Sequence, residues 1–166
     1  MEPLIHFLVP LLLLVFLFPK LDKKIAVGLS LLTQLPDFDI FVVHDLHRAL
    51  FHNLFFVVIV ALIVAYFLGK TGFFVSLYYL ISHLIFDSAE AGNALFWPLY
   101  NNLLGFKFAI MMQPKFEIIL DFFSMPFNPG INAGEICILC QQGSLILVLA
   151  GIVLIAKCYT LWKNSY

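Results

Sequence analysis

Four long runs almost free of charge, Leu4–Phe18, Leu54–Leu68, Gly72–Phe86 and Ser144–Leu161, leave this chain few ways to fold in water. A bilayer core is crossed by about 20 apolar residues in a helix, with a lower limit near 17, and each run approaches that length. A fifth stretch, Ile25–Val43, is apolar except for the insert QLPDFD. There Pro36 should push Leu35 out of the α region and unwind the helix near its far end. The pattern predicts an all-α fold, a polytopic transmembrane helical bundle of about five spans, forming a single integral membrane domain over residues 1–166. Composition agrees, with 63% hydrophobic and 11% charged residues, against roughly 25% charged in soluble domains. The shorter runs imply local bilayer thinning or snorkelling of flanking residues.

The lysines give the bundle a direction. Lys20, Lys23 and Lys24 join the first two runs, Lys70 joins the third and fourth, and Lys157 and Lys163 end the last. Positive residues collect on the cytoplasmic side, so alternating spans with an outer N-terminus place every one of these groups inside. The N-terminal run lacks a positive leader and a small-residue cleavage site, and reads as a retained helix, kinked at Pro10. Residues 88–143 read as a loop and interfacial region on the outer side. Within it Lys107–Phe123, carrying Lys115, Glu117 and Asp121 and broken by Pro114, reads as an interfacial amphipathic segment. Cys137 and Cys140 form a lone CxxC without a second pair, too few ligands for a structural zinc site, and Cys158 lies in an apolar run. The net charge of −1 argues against a nucleic-acid partner.

Against this background, Leu35–Asn53 is anomalous, with three Asp, three His and one Arg in nineteen residues. Ionisable groups at membrane depth cost free energy and persist where they pair, line water or hold an ion. The expected topology brings the dispersed polar groups to one face: His6 near the outer end of the first span, Asp37 and Asp39 at that of the second, His47, Arg48 and His52 in the following connection, and His83 and Asp87 at the end of the fourth. His83 and Asp87 are four apart, on one face of a helix, where imidazole and carboxylate can reach one ion. Asp37 and Asp39, read as an extended pair, would repel unless a cation lay between them. His44 and Asp45 read as solvated. Imidazole with carboxylate suits zinc, manganese or iron, and such an ion activates water without a Ser or Cys triad, for which there is no motif.

Together these motifs, His6, LPDFD, HRALFH, HLIFD and a following G…WPL, resemble the membrane-bound metal-dependent hydrolases, a family also labelled LexA-binding, inner-membrane-associated hydrolases. The resemblance runs from His6 to Leu99. It selects His6, Asp37, Asp39, His47, His52, His83 and Asp87 as metal ligands, with Arg48, and Gly92, Trp97 and Pro98 in support. The chain departs from the family pattern at Ala49, Phe51 and Asn53, where the family has Gly, Thr and Ser. A looser likeness, to the all-helical zinc-dependent phospholipases C and single-strand nucleases, points to phosphoesters. The expectation is a hydrolase of the plasma (inner) membrane, its site on the outer face. It would hold one or two divalent ions, zinc foremost, and cleave a phosphoester or related bond of a lipid or amphiphilic substrate. Arg48 would clamp the substrate anion, Asp39 could act as general base, and Phe96 and Trp97 would shape the mouth. Rival readings are an ion- or proton-handling transporter and a non-catalytic membrane scaffold.

Overall fold

The computed structural model describes residues 3–111 and 117–129. Helix α1 (Pro3–Leu17) buries Ile5, His6, Pro10 and Leu14 along one stripe. After a short turn, the Asp22 carboxylate caps α2 (Lys23–Leu29) by accepting from the Lys24 amide at 2.8 Å. Beyond α2 the winding tightens into 3-10 turns over Ser30–Gln34 and Pro36–Phe38, then relaxes into a single α turn, α3 (Asp39–Val42). Pro36 therefore does not unwind the segment. Leu35 stays in the α region (φ −61°, ψ −40°), and the Leu32 carbonyl that a Pro36 amide would have met in an α-helix accepts instead from the Leu35 amide at 3.1 Å, a 3-10 bond. Asp37 and Asp39 are consequently not an extended pair but neighbours on a helical path.

Asn53 caps the long helical element α4 (Leu54–Glu90). This element doubles back. His52 and His83 are 31 residues apart, a span of about 46 Å along a straight helix, yet their imidazoles lie 3.1 Å apart. The reversal falls at Gly69, whose φ of 64° and ψ of −157° are the only non-helical angles inside the element and favour glycine over residues with a Cβ. Both arms meet in an apolar layer of Val57, Leu80 and Leu84, with Leu32 and Leu35 packed against it. Nearer the reversal, Leu14, Ala26, Val75 and Tyr79 join α1, α2 and the returning arm. The Tyr79 hydroxyl donates to the Ala26 carbonyl at 2.7 Å and that of Tyr78 to Pro10 at 3.0 Å.

Beyond the other end of α4 the chain turns through residues 91–101 into an antiparallel hairpin, β1 (Asn102–Met111) and β2 (Glu117–Pro126). It is fastened by the Asn93–Leu104 bridge and by a small cluster of Ala49, Ala94, Leu103 and Phe127. The all-α bundle of five spans is thus corrected. Among the described residues, two helical stretches are long and apolar enough to cross a membrane, Lys23–Val42 and Leu54–Ala89, while Pro3–Leu17 is shorter. The runs Leu54–Leu68 and Gly72–Phe86 lie on the two arms that meet at the Gly69 kink, and the described parts of Lys107–Phe123 are paired strands rather than an interfacial amphipathic segment. Their charges follow strand register, with Lys107 opposite Asp121, a cross-strand pairing. The expected span 144–161, Cys137, Cys140 and Cys158 lie outside the described residues.

Gly105 is where β1 touches α4. A Cβ there would sit 2.6 Å from the Ser88 carbonyl oxygen and collide with the Phe123 ring. Gly105→Ala is expected to cost about 1–3 kcal/mol, typical of overpacking, read as a lower thermal transition in detergent with earlier proteolysis within the hairpin.

Candidate metal centre

The loop between α3 and α4 delivers two histidines to the bundle end. Arg48 turns it through the left-handed region (φ 70°), a conformation uncommon outside glycine. Asn53 then locks it. Its amide donates to the carbonyls of Ala49 and Leu50, both at 2.8 Å, while its oxygen accepts from the Phe56 amide at 2.8 Å. The family-type Ser is thus replaced by a residue that both caps α4 and fastens the loop. Backbone bonds from Ala94 to Arg48 and from Leu54 to Leu95 tie this loop to the segment after α4.

Four side chains from three parts of the chain converge. His83 Nε2 lies 3.1 Å from His52 Nε2, and Asp87 Oδ2 lies 2.9 Å from His52 Nε2 and 3.3 Å from His83 Nε2. Asp37 Oδ1 stands slightly further out, 3.6 and 3.5 Å from the two nitrogens. Ligands held about 2.0–2.1 Å from a tetrahedral ion are separated by about 3.3 Å, so these spacings are those of a coordination shell. The hydrogen bonding agrees. Both oxygens of Asp37 and of Asp87 are buried without a hydrogen bond, although imidazole nitrogens are this close. A protonated His52 would donate from Nε2 to Asp87 Oδ2 at 2.9 Å; with that nitrogen deprotonated, the lone pairs converge on shared space. Buried carboxylates left so are costly, and a cation among them resolves the cost.

Asp39 works one layer back. It is fully buried, and its two oxygens each hold a histidine Nδ1, His47 at 2.6 Å and His52 at 3.0 Å. With Nδ1–H donating to Asp39, neutral His52 presents its Nε2 lone pair to the centre, the carboxylate–histidine arrangement that orients metal ligands. The described residues thus contain two groups able to hold an ion, Asp37/His52/His83/Asp87 and Asp39/His47/His52, and they share His52. Burial works against a charged imidazole at His52, but the carboxylates of Asp37, Asp39 and Asp87 outweigh it and hold its pKa well above the ordinary histidine value.

The remaining sequence candidates fall around this nucleus. His6 is buried, with Nε2 3.6 Å from Asp87 Oδ1 and its ring edge-on to His83. His47 stays on the Asp39 side, its Nε2 buried without a hydrogen bond. Arg48 is buried, and its Nη1 donates to the carbonyls of Asp87 and Gly92 at 3.3 Å, closing the turn after α4. Trp97 packs against the Ala49–Ala94 cluster while Phe96 is exposed. His44 and Asp45 are both exposed, as expected of solvated groups. Sequence reasoning missed Asn53 and Asn93. Asn53 stands directly before an apolar run, a helix-start signal. Asn93, which donates to the Leu84 carbonyl at 2.8 Å, had no local signal, since its partner is a backbone group.

These features define a helical membrane protein with a buried His/Asp nucleus at one end of its bundle. Residues 1–165 match the model of the YdjM inner membrane protein family, and the chain belongs to that family. The match supports placement in the inner membrane; it carries neither the hydrolase nor the LexA-binding part of the resemblance drawn from the motifs. No curated protein and no solved structure matches the chain.

Replacing the cap tests the local account. Asn53→Ala removes one capping bond and two loop bonds and should destabilise the protein by about 1–3 kcal/mol, whereas Asn53→Ser should recover much of the capping part. Thermal unfolding of both variants in the same detergent reads the difference.

Proposed function

We propose that this protein is a membrane-bound, metal-dependent hydrolase acting on a phosphoester or related bond of an amphiphilic substrate. The observation that carries the reading is the set of buried carboxylate oxygens of Asp37 and Asp87, without hydrogen bonds and at coordination-shell spacing from two imidazole nitrogens. His52, His83 and Asp87, whose atoms lie closest together, would hold one divalent ion, zinc foremost given two imidazoles and carboxylate. When bound, such an ion polarises a phosphoryl oxygen and makes water a competent nucleophile near neutral pH.

The chain's own residues take the other roles. Asp37 is the one member of the set with an accessible side chain, 16% exposed against none for the other three. Its carboxylate oxygens lie beside the two imidazoles, where they could accept the proton of a water held at the ion. Asp39 positions His52 and His47. Arg48, bonded to the carbonyls of Asp87 and Gly92, positions the turn that carries Asp87. Phe38, Phe41 and Val42, next to Asp37 and Asp39 in the chain, are 54%, 81% and 65% exposed, and a substrate reaching the centre beside them would meet an apolar surface. Such a surface favours a substrate with an apolar portion. Since Lys20, Lys23, Lys24 and Lys70 lie at the reversal end, the positive-inside rule would put the metal centre on the outer face.

Two variants separate binding from chemistry. His83→Ala should lose the bound metal. Asp37→Asn should retain it while hydrolysis of lipid phosphoesters falls about 100-fold or more, the range for a lost general base. Metal loss in both, or activity retained in Asp37→Asn, would remove Asp37 from its role; full activity in a metal-free His83→Ala would sink the hydrolase reading.

Loading should also depend on pH. The carboxylates around His52 raise its pKa in the metal-free protein, and coordination requires the lone pair, so binding at a pH where the imidazole is charged releases a proton. Affinity is therefore expected to climb with pH, by up to about tenfold per unit, and to level off above the raised pKa. Calorimetry in buffers of different ionisation enthalpy reads the released proton, and pH-independent affinity would contradict the assignment.

A further inference from the structure

A second cavity lies at the opposite end of the bundle. It has a volume of about 670 Å³, opens to the surface, and is walled by Leu14 and Leu17 of α1 and by Phe74 and Val75 of the returning arm of α4, with Lys20 and Thr71 at its rim. Thr71 and Asp87 are separated by sixteen residues of one helical arm, or about 24 Å, so the cavity is separate from the metal centre. Its surroundings are basic. Lys20, Lys23, Lys24 and Lys70 gather here, and Asp22 is the one carboxylate among the described residues of this end. That carboxylate is already engaged in capping α2 through the Lys24 amide.

An apolar groove of this size, within the range of ligand sites, is suited to an acyl chain, and a rim of lysines beside a hydroxyl is suited to a phosphate. Basic pockets between membrane helices on the side where positive residues collect hold anionic lipid headgroups. We propose that this groove is a binding site for one anionic phospholipid, its acyl chain against Leu14, Leu17 and Val75 and its phosphate at Lys20 and Thr71. Charge complementarity selects an anionic over a zwitterionic lipid, and the inference is independent of the chemistry at the metal centre.

The full chain, reconstituted in nanodiscs of mixed phosphatidylglycerol and phosphatidylcholine and then released gently for native mass spectrometry, provides the test. One phosphatidylglycerol should be retained, preferred at least about fivefold over phosphatidylcholine. Lys20→Gln should abolish the preference, Thr71→Phe should reduce retention of both lipids by filling the rim, and Lys107→Gln on the distant hairpin should change neither. Thermal transitions matching the parent protein establish that the variants are folded. Equal retention of the two lipids by the parent, or an undiminished preference in Lys20→Gln, overturns the proposal. So does ready disulfide formation between a Thr71→Cys substitution and Cys158, which would mean that the chain's own apolar stretch 144–161 takes the groove.

Discussion

The arrangement depends on carboxylates held inside an apolar bundle. Asp39 and Asp87 are completely buried and Asp37 nearly so, where an uncompensated charge would be prohibitive. Asp39 is satisfied within the protein because two imidazoles donate to its two oxygens. Asp37 and Asp87 lack such a pair of donors, and this inequality separates a supporting group from groups that could hold a cation. The loop geometry around Arg48, the Asn53 cap and the return of α4 at Gly69 all serve to bring these side chains from residues 37, 52, 83 and 87 to one point.

Much of the site was legible in the sequence because its signals are local. HLIFD places His83 and Asp87 one helical turn apart, and they do converge; LPDFD and HRALFH contribute Asp37, Asp39, His47 and His52 to the same region. Division of labour was not legible. Whether Asp39 faces a metal or two histidine Nδ1 atoms is decided by the tightening after Pro36, which turns Asp37 and Asp39 to different partners. Arg48 looked like an anion clamp by residue type, and its bonds to the carbonyls of Asp87 and Gly92 are long-range contacts that sequence cannot reveal.

The fold was read less well than the site, for a related reason. Hydropathy registers apolar runs but not how they end. Leu54–Leu68 and Gly72–Phe86 read as separate runs and lie on the two arms that Gly69 folds against each other, a reversal that hydropathy does not register. The charges of Lys115, Glu117 and Asp121 suggested an interfacial amphipathic segment, whereas Lys107 and Asp121 stand opposite each other across two strands, a long-range pairing without a short-range periodicity. Pro36 was expected to break a helix, and 3-10 bonding lets the winding continue. In each case a tertiary or backbone accommodation outweighed a sound local preference.

The account rests on the centre formed by His52, His83 and Asp87 holding an ion, and X-ray absorption at the metal edge of protein purified without chelator tests it most directly. The account predicts one divalent ion per chain with two imidazole nitrogens at about 2.0–2.1 Å and the remaining scatterers oxygen. Folded protein with no metal above background, or a bound metal lacking imidazole scattering, would contradict it and leave the cluster as a hydrogen-bonding device of helix packing.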